Sequence, residues 1–456
     1  MPQSPPSLAE CKRMAEASLA SLMSHVVDNR GRTCPTAETG FPLIATNCVK
    51  SDGLYPTFEK VRHVDEDTYR NWFRGHPIPG DLIFVLKGSP GEVCLTPDPV
   101  PFCIAQDMVA LRPDPEKVYP PYLFAALRSD RAKNDILNMH VGTMIPHFKK
   151  GDFDRLFIPI PDEDDQRAIG DAYLTISKKI ELNRRMNETL EEMARALFRD
   201  WFVDFGPTRR QMQGATDPAA IMGHALPAAE MPAQSGTGSA PGTSTTKPLN
   251  AITLAPLFPA KLGDNGLPEG WEMGSIGDHM SIFDSKRVPL SSREREKRLG
   301  PYPYHGATSV MGYVDDFLFD DIILLLGEDG SVIRPNGKPF TQYVWGKVWV
   351  NNHAHVLKGT TFSTEQLKVV FDNVDIAPFT TGAVQLKLNQ KNMKSVPLVV
   401  AGLAVHAAYD EMILPLFAKI RANTEENQTL AALRDLLLPK LMSGEIRLND
   451  AEAVAE

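Results

Sequence analysis

The sequence lacks the features that mark several classes of protein. No apolar run reaches the roughly 18 residues needed to cross a bilayer. The N-terminus has no charged start followed by an apolar stretch, so no secretory signal is expected. The five cysteines lie in the first quarter of the chain and include no CxxC pair. Their number and spacing argue against a disulfide framework or a zinc ribbon and favour a reducing cytoplasm.

An excess of positive charge is also missing. The formal net charge is −9, residues 30–157 hold 16 Lys/Arg against 16 Asp/Glu, and residues 271–397 hold 14 of each. A protein of this composition can bind nucleic acid only if its basic groups are concentrated on one face, or if a partner supplies phosphate contacts.

Motifs for catalysis are absent as well. There is no (D/N)PP(Y/F) or GxGxxG for a methyltransferase and no GxxxxGK[ST] phosphate loop. The acidic run at 162–165 is interpreted as a solvated helix start. His353 and His355 alternate along an expected strand without a third ligand nearby in sequence. We therefore predict no catalytic residue and no metal site.

What the sequence does contain is an internal repeat. KKIELNRRMNETLEEMARALF (178–198) matches AKIRANTEENQTLAALRDLLL (418–438) at a constant shift of 240, which superposes Asn183 on Asn423 and Asn187 on Asn427. Such a repeat indicates a molecule built from two related halves.

Apolar residues in both copies follow steps of four and three, the heptad rhythm of a coiled coil. A helix over 163–203 would be about 60 Å long at 1.5 Å per residue, too long to stand without a partner. We expect the two helices to pair with each other in antiparallel orientation. Our hypothesis is that Asn183 and Asn187 face Asn427 and Asn423 and fix the register. The alternative, half-exposed polar side chains, stays open.

Short apolar runs broken by Gly and Pro precede each helix and predict strand-rich domains. GDLIFVLKGSPGEV (80–93) resembles DDIILLLGEDGSVI (320–333), with the shift changed by about one residue. The segment 206–262 is rich in Pro, Ala, Gly, Ser and Thr and is predicted to be a flexible linker.

Several of these segments resemble the DNA specificity subunit of type I restriction-modification systems. The segments that show the resemblance are LPEGW (267–271), the strand and glycine turn LLLGEDGSV, TGAVQLKLN before the second helix, and the helical motifs at 178–205 and 433–446. The first half departs from the family because it lacks the LPxGW opening and begins with SLASLMSHVVDNRGR.

The resemblance implies an α+β fold with a pseudo-twofold internal repeat, in which two strand-rich target-recognition domains are separated by a pair of long antiparallel coiled-coil helices. The expected segments are an N-terminal extension (1–29), recognition domain 1 (30–160), a first spacer helix (161–205), the linker (206–262), recognition domain 2 (263–400), a second spacer helix (401–446) and a C-terminal tail (447–456).

The resemblance also implies a function. Such a subunit is a non-catalytic cytoplasmic protein of a phage-defence system that reads a bipartite, asymmetric site in double-stranded DNA. It docks two methyltransferase (modification) subunits and the restriction/translocase subunits, with no membrane partner. S-adenosylmethionine, Mg and ATP would be bound by those partners and not by this chain. The alternative is a coiled-coil interaction scaffold whose two β-rich domains bind something other than DNA.

Base contacts require polar side chains on loops that reach the groove edges. The glycine turn and the GT/GA segment recur at equivalent places in both halves and are the preferred sites. In the first half the candidates are Lys87, Ser89, Thr143, His147, Lys149 and Lys150. In the second half they are Lys286, Arg287, Arg293, Arg295, Lys297, Arg298, Tyr302, His305, Ser331, Asn351, Asn352, His353, Gln385, Lys387 and Asn389. The run SSREREKR is equally compatible with an exposed helix.

Overall fold

Strands and helices are distributed over two separate units of the chain. The structure, a computed structural model, describes residues 15–29, 31, 33–139, 147–223, 250–330, 332–382 and 385–447. Unit 1 comprises Met1–Arg185 and Asn423–Glu456, and unit 2 comprises Met186–Ala422. Both long helices cross this division. No helix in the described ranges combines the length and the apolar character that a membrane span requires.

Unit 1 is built from short strands followed by helices. Its strands are β1 (Ala15–Ser18), β2 (Met23–Val27), β3 (Phe41–Ile44), β4 (Arg62–Val64), β5 (Leu82–Val85), β6 (Val93–Leu95), β7 (Cys103–Ile104), β8 (Met108–Pro113) and β9 (Phe157–Ile160). Its helices are α1 (Glu66–Asn71), α2 (Pro120–Arg128), α3 (Asp130–Met139) and the first part of α4 (Glu163–Phe198).

Unit 2 begins within α4 and holds a second set of strands and helices. The helices are α5 (Gly206–Met212), α6 (Pro218–Met222), α7 (Ala251–Leu254), α8 (Ser292–Lys297), α9 (Thr364–Asn373), α10 (Gln390–Lys394) and α11 (Leu403–Ser443), the last of which returns to unit 1. The strands are β10 (Glu272–Ser275), β11 (Met280–Ile282), β12 (Tyr302–His305), β13 (Val310–Val314), β14 (Phe319–Asp320), β15 (Ile323–Gly327), β16 (Asp329–Gly330), β17 (Thr341–Val344), β18 (Lys347–Val350), β19 (Ala354–Gly359), β20 (Leu386–Lys387) and β21 (Pro397–Val400).

The two units share one sheet topology. The four-stranded sheet β2-β8-β5-β6 of unit 1 has the same order of equivalent strands as β11-β19-β15-β17 of unit 2. In a second sheet, β3 pairs in parallel with β7, as β12 pairs in parallel with β18. The strand pair β1-β9 before the first long helix matches β10-β21 before the second. The repeat therefore extends through the strand-rich regions, where the sequences have diverged.

The central strand of each unit shows why the sequence forms it. In β5, Leu82 and Phe84 pack into one apolar cluster, whereas Ile83 and Val85 pack into another on the opposite face. Strand β15 repeats this arrangement. Side chains alternate between the two faces of a strand, so an unbroken apolar run produces a strand buried on both sides.

The long helix α4 begins where its acidic residues predict. The carboxylate of Asp162 accepts a hydrogen bond from the Asp165 N–H at 2.9 Å, and Glu163–Asp165 occupy the first turn. Acidic groups at this end satisfy free N–H groups and complement the helix dipole. After Phe198 the chain continues as a π-helical turn to Val203.

The helices pair in antiparallel orientation in each unit. In unit 1, Ile169 and Tyr173 of α4 share an apolar cluster with Leu438 and Leu441 of α11. In unit 2, the buried Tyr409 hydroxyl of α11 donates to the Ala194 carbonyl of α4 at 2.8 Å. The predicted α+β class with paired long helices is confirmed.

Asparagines on the helix seam bond across the pair. In unit 1, Asn183 is fully buried, and its Nδ2 donates to Asn427 Oδ1 at 2.9 Å. Asn427 Nδ2 donates to the Ile180 carbonyl at 3.3 Å. In unit 2, Asn187 Nδ2 donates to the Ile420 carbonyl, also at 3.3 Å. The shift of 240 residues maps Ile180 onto Ile420 and Asn187 onto Asn427. The last two contacts are therefore the same contact made twice with the roles of the two helices exchanged, which is the pattern of an isologous interface.

The predicted linker is corrected over its described parts. Helices α5 and α6 follow the first long helix directly, and α7 precedes the second strand-rich region. Apolar side chains hold them to the core of unit 2: the ring of Phe258 lies 4.9 Å from that of Trp201, and Phe205 packs edge-on against Trp271 of LPEGW. Residues 224–249 lie outside the described chain. The segment's overall composition concealed the few aromatic residues that anchor its ends.

The predicted N-terminal extension is corrected in the same way. Residues 15–27 form β1, a 3-10 turn at Leu19–Leu22, and β2. The two strands pair with β9 and β8 respectively. Strand β1 stands where β10, the strand that follows LPEGW, stands in unit 2. The first strand-rich domain therefore starts before residue 30. Residues 1–14 lie outside the described chain.

Candidate nucleic-acid interface

In unit 1 the glycine turn and the segment before the first long helix meet at one point. The Phe148 N–H donates to the Leu86 carbonyl at 2.8 Å, and Lys87 and His147 form an antiparallel bridge. The turn leaves the sheet through Gly88, whose φ of 91° favours glycine. Two segments that the repeat singled out thus lie side by side.

A third segment completes this surface. It is the turn between β7 and β8, where the Asp107 carbonyl accepts hydrogen bonds from the N–H groups of Leu86 and Lys87 at 2.8 and 3.3 Å. Asp107 has a φ of 74°, a left-handed conformation that aspartate tolerates better than most residues. An open cleft of about 420 Å³ lies here, and its walls include Lys87, Gln106, Asp107 and His147.

Unit 2 repeats the arrangement with the same backbone bonds. The Leu388 N–H donates to the Glu328 carbonyl at 2.9 Å, and the Glu328 N–H donates to the His353 carbonyl at 2.9 Å. Strands β16 and β20 pair Asp329 with Lys387. Gly330 has a φ of 77°, in the same left-handed region as Gly88 of unit 1.

These bonds define which residues are equivalent. Leu86 corresponds to Glu328, Asp107 to His353 and Phe148 to Leu388, because each pair makes the same main-chain contacts. The glycine turn is therefore shifted by 242 residues, one more than the sequence comparison suggested. We call each set of three segments a reading surface: Lys87–Ser89, Gln106–Asp107 and His147–Lys149 in unit 1, and Asp329–Gly330, Asn352–His353 and Gln385–Lys387 in unit 2.

The side chains on these surfaces are accessible. Ser89, Lys149, Asn352, Gln385 and Lys387 are all exposed. The Lys87 side chain is 44% exposed, and its Nζ lies 3.9 Å from Asp107 Oδ1. His353 is 48% exposed, and its Nδ1 donates to Asp329 Oδ1 at 2.6 Å. Thr143 and Ser331, also predicted here, lie outside the described residues.

Two further candidates lie beside the reading surfaces. Lys150 follows Lys149, and its Nζ lies 3.7 Å from Asp28 Oδ2. Asn389 caps α10 by accepting the Asn392 N–H at 2.9 Å. Both side chains are exposed, but each also has a structural contact.

Several residues predicted to contact bases are instead held inside unit 2. His305 is buried, with its Nδ1 3.0 Å from Gln342 Oε1. Burial lowers the pKa of His305, although its bond to Gln342 opposes this. Asn351 is buried, and its Oδ1 accepts the His353 N–H at 2.8 Å. Tyr302 is half-buried and packs its ring against Phe317. The burial of His305 and Asn351 does not suit the base contacts predicted for them.

The charged run SSREREKR forms helix α8, the interpretation left open from the sequence. Ser291 caps it together with Glu294. Arg295 donates to the Leu290 carbonyl at 3.0 Å, and Arg298 donates to Asp315 Oδ1 at 2.9 Å. Arg293, Lys297 and, on the preceding loop, Lys286 remain exposed. The run thus supplies fewer available cations than its composition indicates.

Arg287 is a largely enclosed arginine whose contacts are structural. Its side chain is only 12% exposed, and its Nη1 donates to Glu328 Oε2 at 2.5 Å and to the Ala354 carbonyl at 2.7 Å. Nε donates to the Asp284 carbonyl at 3.0 Å. These contacts hold Arg287 within unit 2, away from the base contact that was predicted for it.

Beside Arg287, a histidine and two carboxylates converge. Ligand atoms of Asp284, Glu328 and His355 lie within 4.8 Å of one another. His355 donates from Nδ1 to Asp284 at 2.6 Å and from Nε2 to the Leu388 carbonyl at 2.7 Å. Since both ring nitrogens donate and Arg287 already bridges the carboxylates, this is an ion-pair network and not an open metal site.

The network shifts the pKa of its members in opposite directions. Burial alone would lower the pKa of His355, but its bonds to Asp284 and the Leu388 carbonyl and the nearby carboxylates raise it. Burial opposes ionisation of Asp284, yet the bonds from His355 and the Val356 N–H hold the pKa of its carboxyl below the usual value. The network ties Leu388, the residue after Lys387, to the sheet.

Gln106 and Asp107 are the members of the reading surfaces that sequence reasoning missed. They stand at a shift of 246 from Asn352 and His353, and neither is basic or next to a glycine. Aligning the apolar strands that follow, VAL (109–111) with HVL (355–357), would have revealed them.

Known proteins share sequence with this chain. Residues 44–192 match the family described as Type I restriction modification DNA specificity domain. Type I restriction enzyme HindI specificity subunit of Haemophilus influenzae is 25% identical over 80% of this chain and 86% of its own length. Type I restriction enzyme MjaIX specificity subunit of Methanocaldococcus jannaschii is 20% identical over 72% and 69%.

A solved S subunit of a type I restriction-modification system from M. genitalium aligns with 96% of this chain and 98% of its own, at 16% identity and a TM-score of 0.49. Residues 44–192 thus match a DNA specificity domain, and over most of its length the chain is similar to specificity subunits of type I restriction-modification systems. The predicted resemblance to these specificity subunits is confirmed.

Proposed function

We propose that the chain reads a bipartite, asymmetric site in double-stranded DNA, each reading surface contacting one half. The observation that carries the proposal is the repetition of one main-chain framework in two units with different side chains on it. A shared framework brings equivalent loops to equivalent groove positions, while unlike side chains select unlike bases. The two half-sites should therefore differ in sequence.

The paired helices are proposed to set the distance between the half-sites. Antiparallel contacts in both units, with asparagines bonded across the seam, resist sliding of one helix along the other. A fixed helix register implies a fixed number of base pairs between the two parts of the site.

The chain is also proposed to dock two methyltransferase subunits and the restriction/translocase subunits, which would bind S-adenosylmethionine, Mg and ATP. The charge balance of the chain supports a DNA interface that is shared with the partner subunits. Both strand-rich segments are neutral, so the phosphate contacts that dominate affinity for DNA should come largely from the partners. Isolated chain should accordingly bind DNA weakly and with a shallow salt dependence.

The test is to co-express the chain with its methyltransferase subunit in a host and to map methylated adenines across the genome. The expected result is one bipartite motif with two unlike halves and a constant gap. Exchanging residues 267–399 for those of another family member should change one half alone, and a helix extension in both spacers should change only the gap. Complex formation without methylation, or a change of both halves on a single exchange, would contradict the proposal and favour the scaffold alternative.

A further inference from the structure

The two reading surfaces carry the same three residue types in rotated order. On the glycine turn, the β-turn and the approach segment, unit 1 has Lys87, Asp107 and His147, whereas unit 2 has Asp329, His353 and Lys387. The equivalences rest on main-chain hydrogen bonds and strand pairing. On the glycine turn, the position that holds a cation in unit 1 therefore holds a carboxylate in unit 2.

This rotation reverses a donor–acceptor pair. In unit 1 the ammonium of Lys87 on the glycine turn faces the carboxylate of Asp107 on the β-turn at 3.9 Å. In unit 2 the carboxylate of Asp329 is on the glycine turn, and the imidazole of His353 donates to it from the β-turn at 2.6 Å. The glycine turn thus presents a hydrogen-bond donor in one unit and an acceptor in the other.

We propose that these three positions determine specificity at one equivalent base pair of each half-site, and that the two units read it in opposite orientations. Lys87 would donate to the O6 and N7 acceptors of a guanine, and Asp329 would accept from the N4 amino group of a cytosine. The inference rests on the proposed function, since it assigns base contacts within the sites that function requires.

The surroundings of the two pairs suit this role. The side chains of Lys87, Asp107 and His353 are 42–48% exposed and that of Asp329 is 22% exposed, so all four present part of their surface to a groove edge. Exposed ion pairs add little to folding, which leaves the side chains available to exchange their partner for a base. The framework beneath them is made of main-chain bonds, which do not depend on the side chains that stand on it.

The experiment moves one unit's residues onto the other. In unit 1 the triple exchange is Lys87→Asp, Asp107→His and His147→Lys; in unit 2 it is Asp329→Lys, His353→Asp and Lys387→His. Each full-length variant is co-expressed with the methyltransferase subunit, and methylation is mapped. A matched control reverses an exposed ion pair of unit 1 outside the reading surface, Glu66→Arg with Arg70→Glu on α1.

The expected result is a change at one base pair of one half-site, from guanine to cytosine for the unit 1 exchange and the reverse for unit 2, with a preference altered about tenfold or more. The control should leave the motif unchanged. If the native complex methylates a bipartite site and both exchanges keep every base of it, the inference fails while the proposed function stands. If the native complex forms but methylates no site, the proposed function itself fails.

A variant that methylates nothing needs a second measurement. Its melting temperature shows whether it has folded, and a folded variant without any new or altered motif would overturn the inference. Where the triple exchange lowers the melting temperature, the single changes Lys87→Asp and Asp329→Lys replace it. Each should relax or invert the same base pair, and retention of the native base by both would equally overturn the inference.

Discussion

Replacing Arg287 with alanine should destabilise unit 2 and leave the recognised bases unchanged. The guanidinium bridges the side chain of Glu328 and the carbonyls of Asp284 and Ala354, and it is only 12% exposed. Removing one partner from a buried ion pair costs about 3–5 kcal/mol. Glu328 retains 31% exposure, so the lower end of that range applies.

For a unit of this size, about 3 kcal/mol corresponds to a fall in melting temperature of roughly 6–12 °C. Scanning calorimetry of the full chain measures it, and hydrogen exchange around Ala354 locates it. The neighbouring Lys286→Ala change is the control, because Lys286 is exposed and should alter the melting temperature little. A native melting temperature for Arg287→Ala together with an altered methylation motif would refute the structural role and restore Arg287 as a base-contacting residue.

The same variant has a second expected property. Without the guanidinium, the ligand atoms of Asp284, Glu328 and His355 would still lie within 4.8 Å of one another. One imidazole and two carboxylates form a ligand set that Zn²⁺ accepts. Micromolar Zn²⁺ should therefore recover part of the lost melting temperature in Arg287→Ala and none in a variant that also lacks His355.

Three further outcomes are expected. The stability of unit 2 should decline as pH rises from about 6.5 through the raised pKa of His355, because the unfolded state has then released a proton that the folded state still binds. Urea midpoints should show this slope, and His355→Gln should lack it. Asn183→Leu should lower the free energy of unfolding by about 1–3 kcal/mol, measured by thermal melts, because it removes the donor to Asn427. Leucine at all four seam asparagines should instead raise the melting temperature, and it should broaden the distribution of spin-label distances between the helices because the register is no longer fixed. Gly170→Ala, normally favourable in a helix by about 1 kcal/mol, should lower the melting temperature because its Cβ would stand 2.5 Å from the Tyr122 nitrogen.

The long helices were predicted from the sequence because their apolar residues recur with a strong periodicity. Ile169 and Tyr173 lie at heptad spacing, and they are buried against the partner helix as the spacing requires. The apolar runs at β5 and β15 predicted strands, and the structure buries those strands on both faces. The order of the strands in the sheets could not be predicted from the sequence, because strand pairing depends on contacts between residues far apart in sequence.

Local composition misled where a few residues outweighed the average. Phe205 and Phe258 anchor the ends of a segment whose Pro, Ala and Ser content indicated flexibility. Arg287 and His305 were predicted at the surface from their chemistry alone, since nothing in a single sequence reveals a buried partner. Asp107 was missed because its left-handed turn carries neither glycine nor asparagine.

The main-chain bonds beneath each reading surface have a consequence for evolution. Leu86 and Glu328, an apolar and an acidic residue, make the same backbone contacts at equivalent positions. Substitution in the exposed turns beside them would change what the surface recognises at little cost in stability, because exposed positions seldom contribute more than about 0.5 kcal/mol. New specificities should therefore be reachable by single, nearly neutral steps, and the two halves of one chain can diverge without either having to be refolded.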